Sequence, residues 1–148
     1  MTFDDLEKQL LTFADRNLGT GATEEEIREA EAKLGLHIAG SYRHFLHRFG
    51  WGGVGHLDLY GLGPCIPPYL NVVTVTQSER SEMRPRLAEH LLPVMNDGGG
   101  NLYCLDLGVE NKGEPAVVFW DHEQSETQQP EVIAEDFITW LRAQLESI

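Results

Sequence analysis

Apolar side chains recur at helical spacing through the first third of the chain. Phe3, Leu6, Leu10 and Phe13 predict a first helix running to about Asn17, where LGTG supplies a turn. Thr23 then opens a second helix. Its hydroxyl can cap free amides while Glu26, three residues on, reaches back. Ile27, Ala30 and Leu34 line one face, and Gly35 ends it. A third helix follows Ser41, with Tyr42, Phe45, Leu46 and Phe49 on one stripe and Gly50 as the stop. The period then changes. In WGGVGHLDLYGLG, His56, Asp58 and Tyr60 alternate with Leu57 and Leu59 between glycines, as in a half-buried strand. PCIPP blocks regular pairing and reads as a loop. From Tyr69 the pattern is mixed: Val72, Val73 and Val75 suit a strand, while the charged tail after Gln77 predicts a helix.

The second half predicts a hairpin, with residues 91–95 pairing with 102–107 across a turn at Gly98–Gly100. GVENKGEP is polar and predicts a loop, and AVVFWDH a strand buried on both faces. Ile133, Phe137, Trp140, Leu141 and Leu145 mark a closing helix. No repeat or linker divides residues 1–148, so one domain is expected. The order of elements predicts an α+β fold: an antiparallel sheet flanked by N-terminal helices and a C-terminal helix. Phe45, Phe49, Phe137, Trp140 and Leu141 are the expected core.

Charge narrows the functional classes. The chain has 148 residues, 11 Lys+Arg and 24 Asp+Glu, a formal net charge of −13. Such an anion repels phosphate backbones and anionic membrane surfaces, so neither nucleic acid nor membrane is an expected partner. The longest apolar run, Ala116–Trp120, is far short of a membrane span. MTFDDLEKQL lacks the cationic and apolar regions of a signal peptide, and Cys65 and Cys104 make no disulfide framework; a cytoplasmic protein is expected. Residues 97–148 carry 11 acidic and 2 basic side chains, net −9, against net +1 for residues 38–96. The acidic second half is a candidate surface for a cationic partner, although acidic excess also simply maintains solubility.

Candidate chemistry is sparse. DGGGN is too acidic, and lacks a following Lys-Ser/Thr, for a phosphate cradle; a hairpin turn explains its glycines. His44 and His47 lie three apart but have Arg43 and Arg48 beside them and no zincin glutamate. Neither cysteine sits in a nucleophile signature, and carboxylate pairs such as Asp106 and Asp121 reflect the abundance of acids. No enzyme motif emerges. A non-enzymatic protein without metal or cofactor is expected.

TEEEIREAEAKLGLHIAGSYRHFLHRFG resembles the opening signature of the SUKH superfamily, which includes the fungal SMI/KNR cell-wall regulators. The resemblance rests on Glu31, Leu34, Gly35, Tyr42, Phe45, Leu46 and Gly50. LLPVMNDGGGNLYCLDL and PAVVFWDHE are similar to the family's central strands through Asp97, Gly100, Asn101 and Asp106. VIAEDFITWL is similar to its closing helix through Ala134, Phe137 and Leu141. Ala39 stands where the family usually has a proline; Ser41 can still cap the helix. The resemblance implies helices around an antiparallel sheet, no catalytic site, and, in bacteria, an immunity protein that neutralises a toxin domain, frequently a nuclease. It also admits a regulatory or scaffold adaptor. The family has no universal binding residues. This sequence offers Trp51, Tyr60, Glu110, Trp120, Asp121, His122 and Glu123 as toxin-binding candidates, at strand ends or glycine-rich loops. Core packing is the competing role for the aromatics among them.

Overall fold

The computed structural model describes residues 2–111 and 113–148, with only the backbone path at 109–111. Helix α1 (Phe3–Leu11) is capped reciprocally: the Thr2 hydroxyl accepts the Asp5 N–H at 3.3 Å and the Asp5 carboxylate accepts the Thr2 N–H at 3.0 Å. It ends earlier than Phe13 suggested. The Thr12 hydroxyl donates to Gln9 O at 2.6 Å, and the Arg16 guanidinium to Leu11 O and Phe13 O at 3.2 and 2.8 Å. With those carbonyls satisfied, the chain is free to form strand β1 (Arg16–Leu18).

Helix α2 (Glu24–Leu34) has the expected capping box, with Thr23–Glu26 contacts of 3.0 and 3.1 Å, and Gly35 closes it at φ 67°. Helix α3 (Ser41–Arg48) departs from expectation at its start. Ser41 does not cap it. The carboxylate of Glu114 does, accepting the Ser41 N–H at 2.9 Å and its hydroxyl at 3.1 Å.

Strands β2 (Gly52–Val54) and β3 (Leu57–Leu59) complete a three-stranded antiparallel sheet in the order β1-β2-β3. The glycines of β2 are needed for close approach. A Cβ on Gly52 would lie 2.1 Å from Asn17 O, and one on Gly53 1.7 Å from Leu57 O. A single 3₁₀ turn (Pro68–Leu70) leads into α4 (Val72–Ser81), whose amides at Val73 and Thr74 are capped by Asn71 Oδ1.

The second sheet is antiparallel in the order β4 (Leu91–Asn96), β5 (Leu102–Asn111), β6 (Glu114–Trp120), β7 (Glu131–Ala134). The hairpin forms as expected, with Leu92 opposite Leu105 and Asn96 opposite Leu102. Two expectations fail. Most of the polar segment 108–115 is strand, not loop, because the β5–β6 ladder continues past the core, where its side chains can be polar. Residues 131–134 form a strand before the last helix, on the edge that β6 leaves open. Helix α5 (Phe137–Glu146) starts at Asp136, whose carboxylate accepts the Thr139 N–H at 2.7 Å.

The core lies on both faces of the β4–β7 sheet. Tyr42 and Phe45 of α3 meet Phe137 at ring distances of 5.2 and 5.8 Å, and Tyr103 meets Trp140 at 5.3 Å. Phe45, Phe49, Phe137, Trp140 and Leu141 are all buried, as their stripes predicted. Among the described residues, no helix is long and apolar enough to cross a membrane.

Candidate functional site: an acidic end of the sheet

Strand direction brings several loops to one end of the four-stranded sheet. The turn from β4 to β5 (97–101) and the connection from β6 to β7 (121–130) both lie there. The end of β3 joins them, since the Tyr60 N–H donates to Val94 O at 2.9 Å.

The 97–101 turn is held by its own side chains. Asn96 Oδ1 accepts the Gly98 and Gly100 amides at 2.7 and 3.4 Å, and Asp97 Oδ1 accepts those of Gly99 and Asn101 at 2.7 and 3.1 Å. All four amides that could cradle a phosphate are therefore occupied. Gly98 and Gly100 have φ of 94° and 101°, as the hairpin reading of the glycines requires. Burial disfavours ionising Asp97, but these donors outweigh it and hold its carboxyl below the usual range.

Asn101 ties the turn to the next loop. Its Nδ2 donates to Asp97 Oδ2 at 2.9 Å, which orients Oδ1 toward the His122 backbone N–H at 3.1 Å and Nδ1 at 2.7 Å. Beyond His122, the Gln128 side chain spans the connection: Oε1 accepts the Asp121 N–H at 3.1 Å and Nε2 donates to Asp121 O at 2.8 Å. Asp121 Oδ1 in turn accepts the Glu123 N–H at 2.9 Å.

Two adjoining concavities open at this end. One, about 350 Å³, is lined by His56, Asp58, Tyr60, Tyr69, Asn96 and Gly98. The second, about 270 Å³, shares His56, Asn96 and Gly98 and continues to Asp97, Tyr103 and Gln144. Neither wall contains Lys or Arg. Tyr69 stands 69% exposed at the rim, and Asp58, Asp97, His122 and Glu123 are exposed. The arrangement suits a cationic side chain: carboxylates attract it and an exposed aromatic face can cover it. A larger concavity, about 500 Å³, lies between α2 and α4, but Lys33 joins Glu26 and Glu29 on its α2 wall and the wall has no aromatic ring.

Asp121, His122 and Glu123 lie here, in the connection that follows β6. The other candidates do not join them on the surface. Trp120 is 1% exposed and opposes Leu102 inside the sheet, so it belongs to the core. Tyr60, 9% exposed, lines the first concavity from beneath, while its carbonyl accepts the Tyr42 hydroxyl at 2.7 Å. Burial, then the Glu79 charge, pushes its phenol up to about 12, so it stays neutral at ordinary pH. Trp51, 8% exposed, is also core. Its indole N–H donates to Pro64 O at 3.3 Å and its ring covers Gly19, where a Cβ would sit 2.4 Å from Nε1. Glu110 pairs opposite Pro115 at the far end of β5, and its side chain lies outside the described residues.

His56, Asp58, Tyr69 and Asn96 were not singled out by sequence. Asp58 alternates outward between Leu57 and Leu59, and that pattern could have found it. Tyr69 sits between Pro68 and Leu70, where no periodicity assigns a face.

Other polar clusters have structural roles. His44 stacks on Phe3 at 3.9 Å, and His47 contacts Glu24 at 3.2 Å. Among the described residues no group of three or more His, Cys, Asp or Glu side chains could hold a metal. Both cysteines are free; burial pushes the Cys104 thiol well up, which suits a structural thiol.

A model of the SUKH_5 family, described as SMI1-KNR4 cell-wall, matches residues 3–146. Comparison with curated proteins finds no match.

Proposed function

The chain belongs to the SMI1-KNR4 family of the SUKH superfamily, and on that premise we propose that it is an immunity protein that neutralises a cognate bacterial toxin domain by direct binding inside the cell. The observation that carries this reading is the acidic end of the sheet. Asp58 and Asp97 line concavities whose walls have no Lys or Arg, Tyr69 is exposed at the rim, and Asp121 and Glu123 lie in the 121–130 connection at the same end of the sheet. A toxin that grips nucleic acid needs a cationic cleft, and an acidic protein can occupy that cleft in place of the substrate. The acids speed encounter, and the aromatic ring supplies area that loses water on contact. This mechanism uses no catalytic step and no cofactor.

The test screens the products of the genes beside this chain's own for one that arrests growth, and co-expresses that protein with this chain. Growth rescue and a complex that survives gel filtration are expected. Asp58→Lys combined with Glu123→Lys, both exposed, should weaken both while the variant melts like the parent. Absence of any complex would overturn the toxin reading and favour an adaptor of the same fold.

A further inference from the structure

We propose that the open edge of the four-stranded sheet, strand β7 with the groove beside it, receives an extended cationic segment of a protein partner by strand addition. β7 ends the order β4-β5-β6-β7, and among the described residues its backbone ladder comes from β6 alone. The opposite edge is already engaged, because Val94 O on β4 accepts the Tyr60 N–H. Val132 and Ile133, 62% and 40% exposed, place two large apolar side chains in succession on this short strand. An exposed edge offers unpaired amides and carbonyls to another chain.

A groove of about 430 Å³ runs beside the strand, with Tyr103, Phe119, Ile133 and Trp140 in its wall. The Trp140 indole N–H is buried and, among the described residues, has no acceptor. A buried donor without an acceptor costs free energy that a carbonyl or hydroxyl from an occupant can recover. Strand addition combines these features: main-chain pairing gives affinity, and every second side chain enters a pocket.

Charge selects the occupant. Glu131 lines the groove, Glu135 and Asp136 follow it, and the sequence has no Lys or Arg from Gly113 to Leu141. A second copy meeting edge to edge would set these carboxylates against their own kind. A partner strand that alternates apolar residues with Lys or Arg meets no such repulsion. The groove adjoins the acidic end through Tyr103 and Gln144, so one cationic partner can span both surfaces. The inference does not depend on that partner being a toxin.

The test uses synthetic decapeptides and the full isotope-labelled chain, read by amide and indole NMR shifts. An alternating Lys-Val peptide should shift the amides of residues 131–134 and the Trp140 indole N–H, and slow hydrogen exchange along β7. The matching Glu-Val peptide, and a Lys-Val peptide with proline at every third position, should bind at least about tenfold more weakly. Ile133→Ser should weaken the Lys-Val peptide similarly. Glu131→Lys with Glu135→Lys, both exposed, provides a second variant should Ile133→Ser lose stability. Shifts confined to residues 97–126, equal binding of the proline peptide, or no binding at about millimolar peptide would each overturn the proposal.

Discussion

Asn101 and His122 join two loops 21 positions apart in the chain: one amide oxygen meets both the backbone N–H and the Nδ1 of His122. Because Asn101 Nδ2 is held by Asp97, the oxygen is the atom presented, and Nδ1 must donate. Asn101→Ala should therefore free the 121–130 connection from the 97–101 turn. Stability should fall by about 1 kcal/mol, with faster amide exchange at His122 and little change at β5. Unchanged exchange at His122 would show that Gln128 alone holds the connection.

Buried aromatics should report on folding. Phe137 lies in contact with Tyr42, Phe45 and Trp140 and is fully enclosed. Phe137→Ala should cost about 3–5 kcal/mol by denaturant unfolding. Trp51→Ala and Trp120→Ala should likewise cost several kcal/mol, on the order of the same range. A loss below about 1 kcal/mol for Trp51→Ala would return that side chain to the list of partner contacts.

Tyr69→Ala should behave in the opposite way. Its ring is exposed, so stability should change by no more than about 0.5 kcal/mol. Partner dissociation should accelerate, with a binding loss of about 2 kcal/mol if the ring anchors the complex. Surface plasmon resonance beside thermal unfolding checks both parts.

Asp97 gives the pH dependence. Its carboxyl titrates below the ordinary value of 3.8 because the amides of the turn favour the charged form. A carboxyl depressed in the folded state stabilises the protein above that ordinary value, and the contribution is lost as pH falls through the folded one. Asp97→Asn should thus be less stable than the parent at pH 7, and the gap should narrow below about pH 4. Chemical unfolding at several pH values measures this; a gap independent of pH would assign the effect to turn geometry alone.

The helices and the central hairpin were legible because their signals are local. Thr23 and Glu26 stand at capping-box spacing, and Leu92, Leu105 and their neighbours alternate around a glycine turn. What escaped depends on distant partners. Glu114 caps Ser41 across 73 positions, and no local pattern announces it. Strand β2 had no signal of its own, because the strands pressed against Gly52 and Gly53 are elsewhere in the sequence. Strand β7 was hidden because Val132 and Ile133 flank a register shift and do not alternate. At the candidate site, Asp121–Glu123 stood out through composition. Tyr69 and Asp58 gained meaning only when β3 and the 3₁₀ turn were set beside the 97–101 turn. Trp120 showed the reverse: an aromatic beside acids, it faces the core because Leu102 lies opposite.

The central claim, that the acidic end of the sheet captures a cationic toxin domain, is tested most directly by the association rate at increasing ionic strength. The measurement uses the toxin domain identified by co-expression, with the parent and the Asp58→Lys, Glu123→Lys variant. Electrostatic capture predicts a parent rate that falls steeply between about 0.01 and 0.15 M salt, as the screening length shortens from about 30 to 8 Å. The charge-reversed variant should associate slowly and with little salt dependence, while dissociation rates change much less. Equal rates and equal salt slopes for parent and variant would contradict the account and place the interface on another surface.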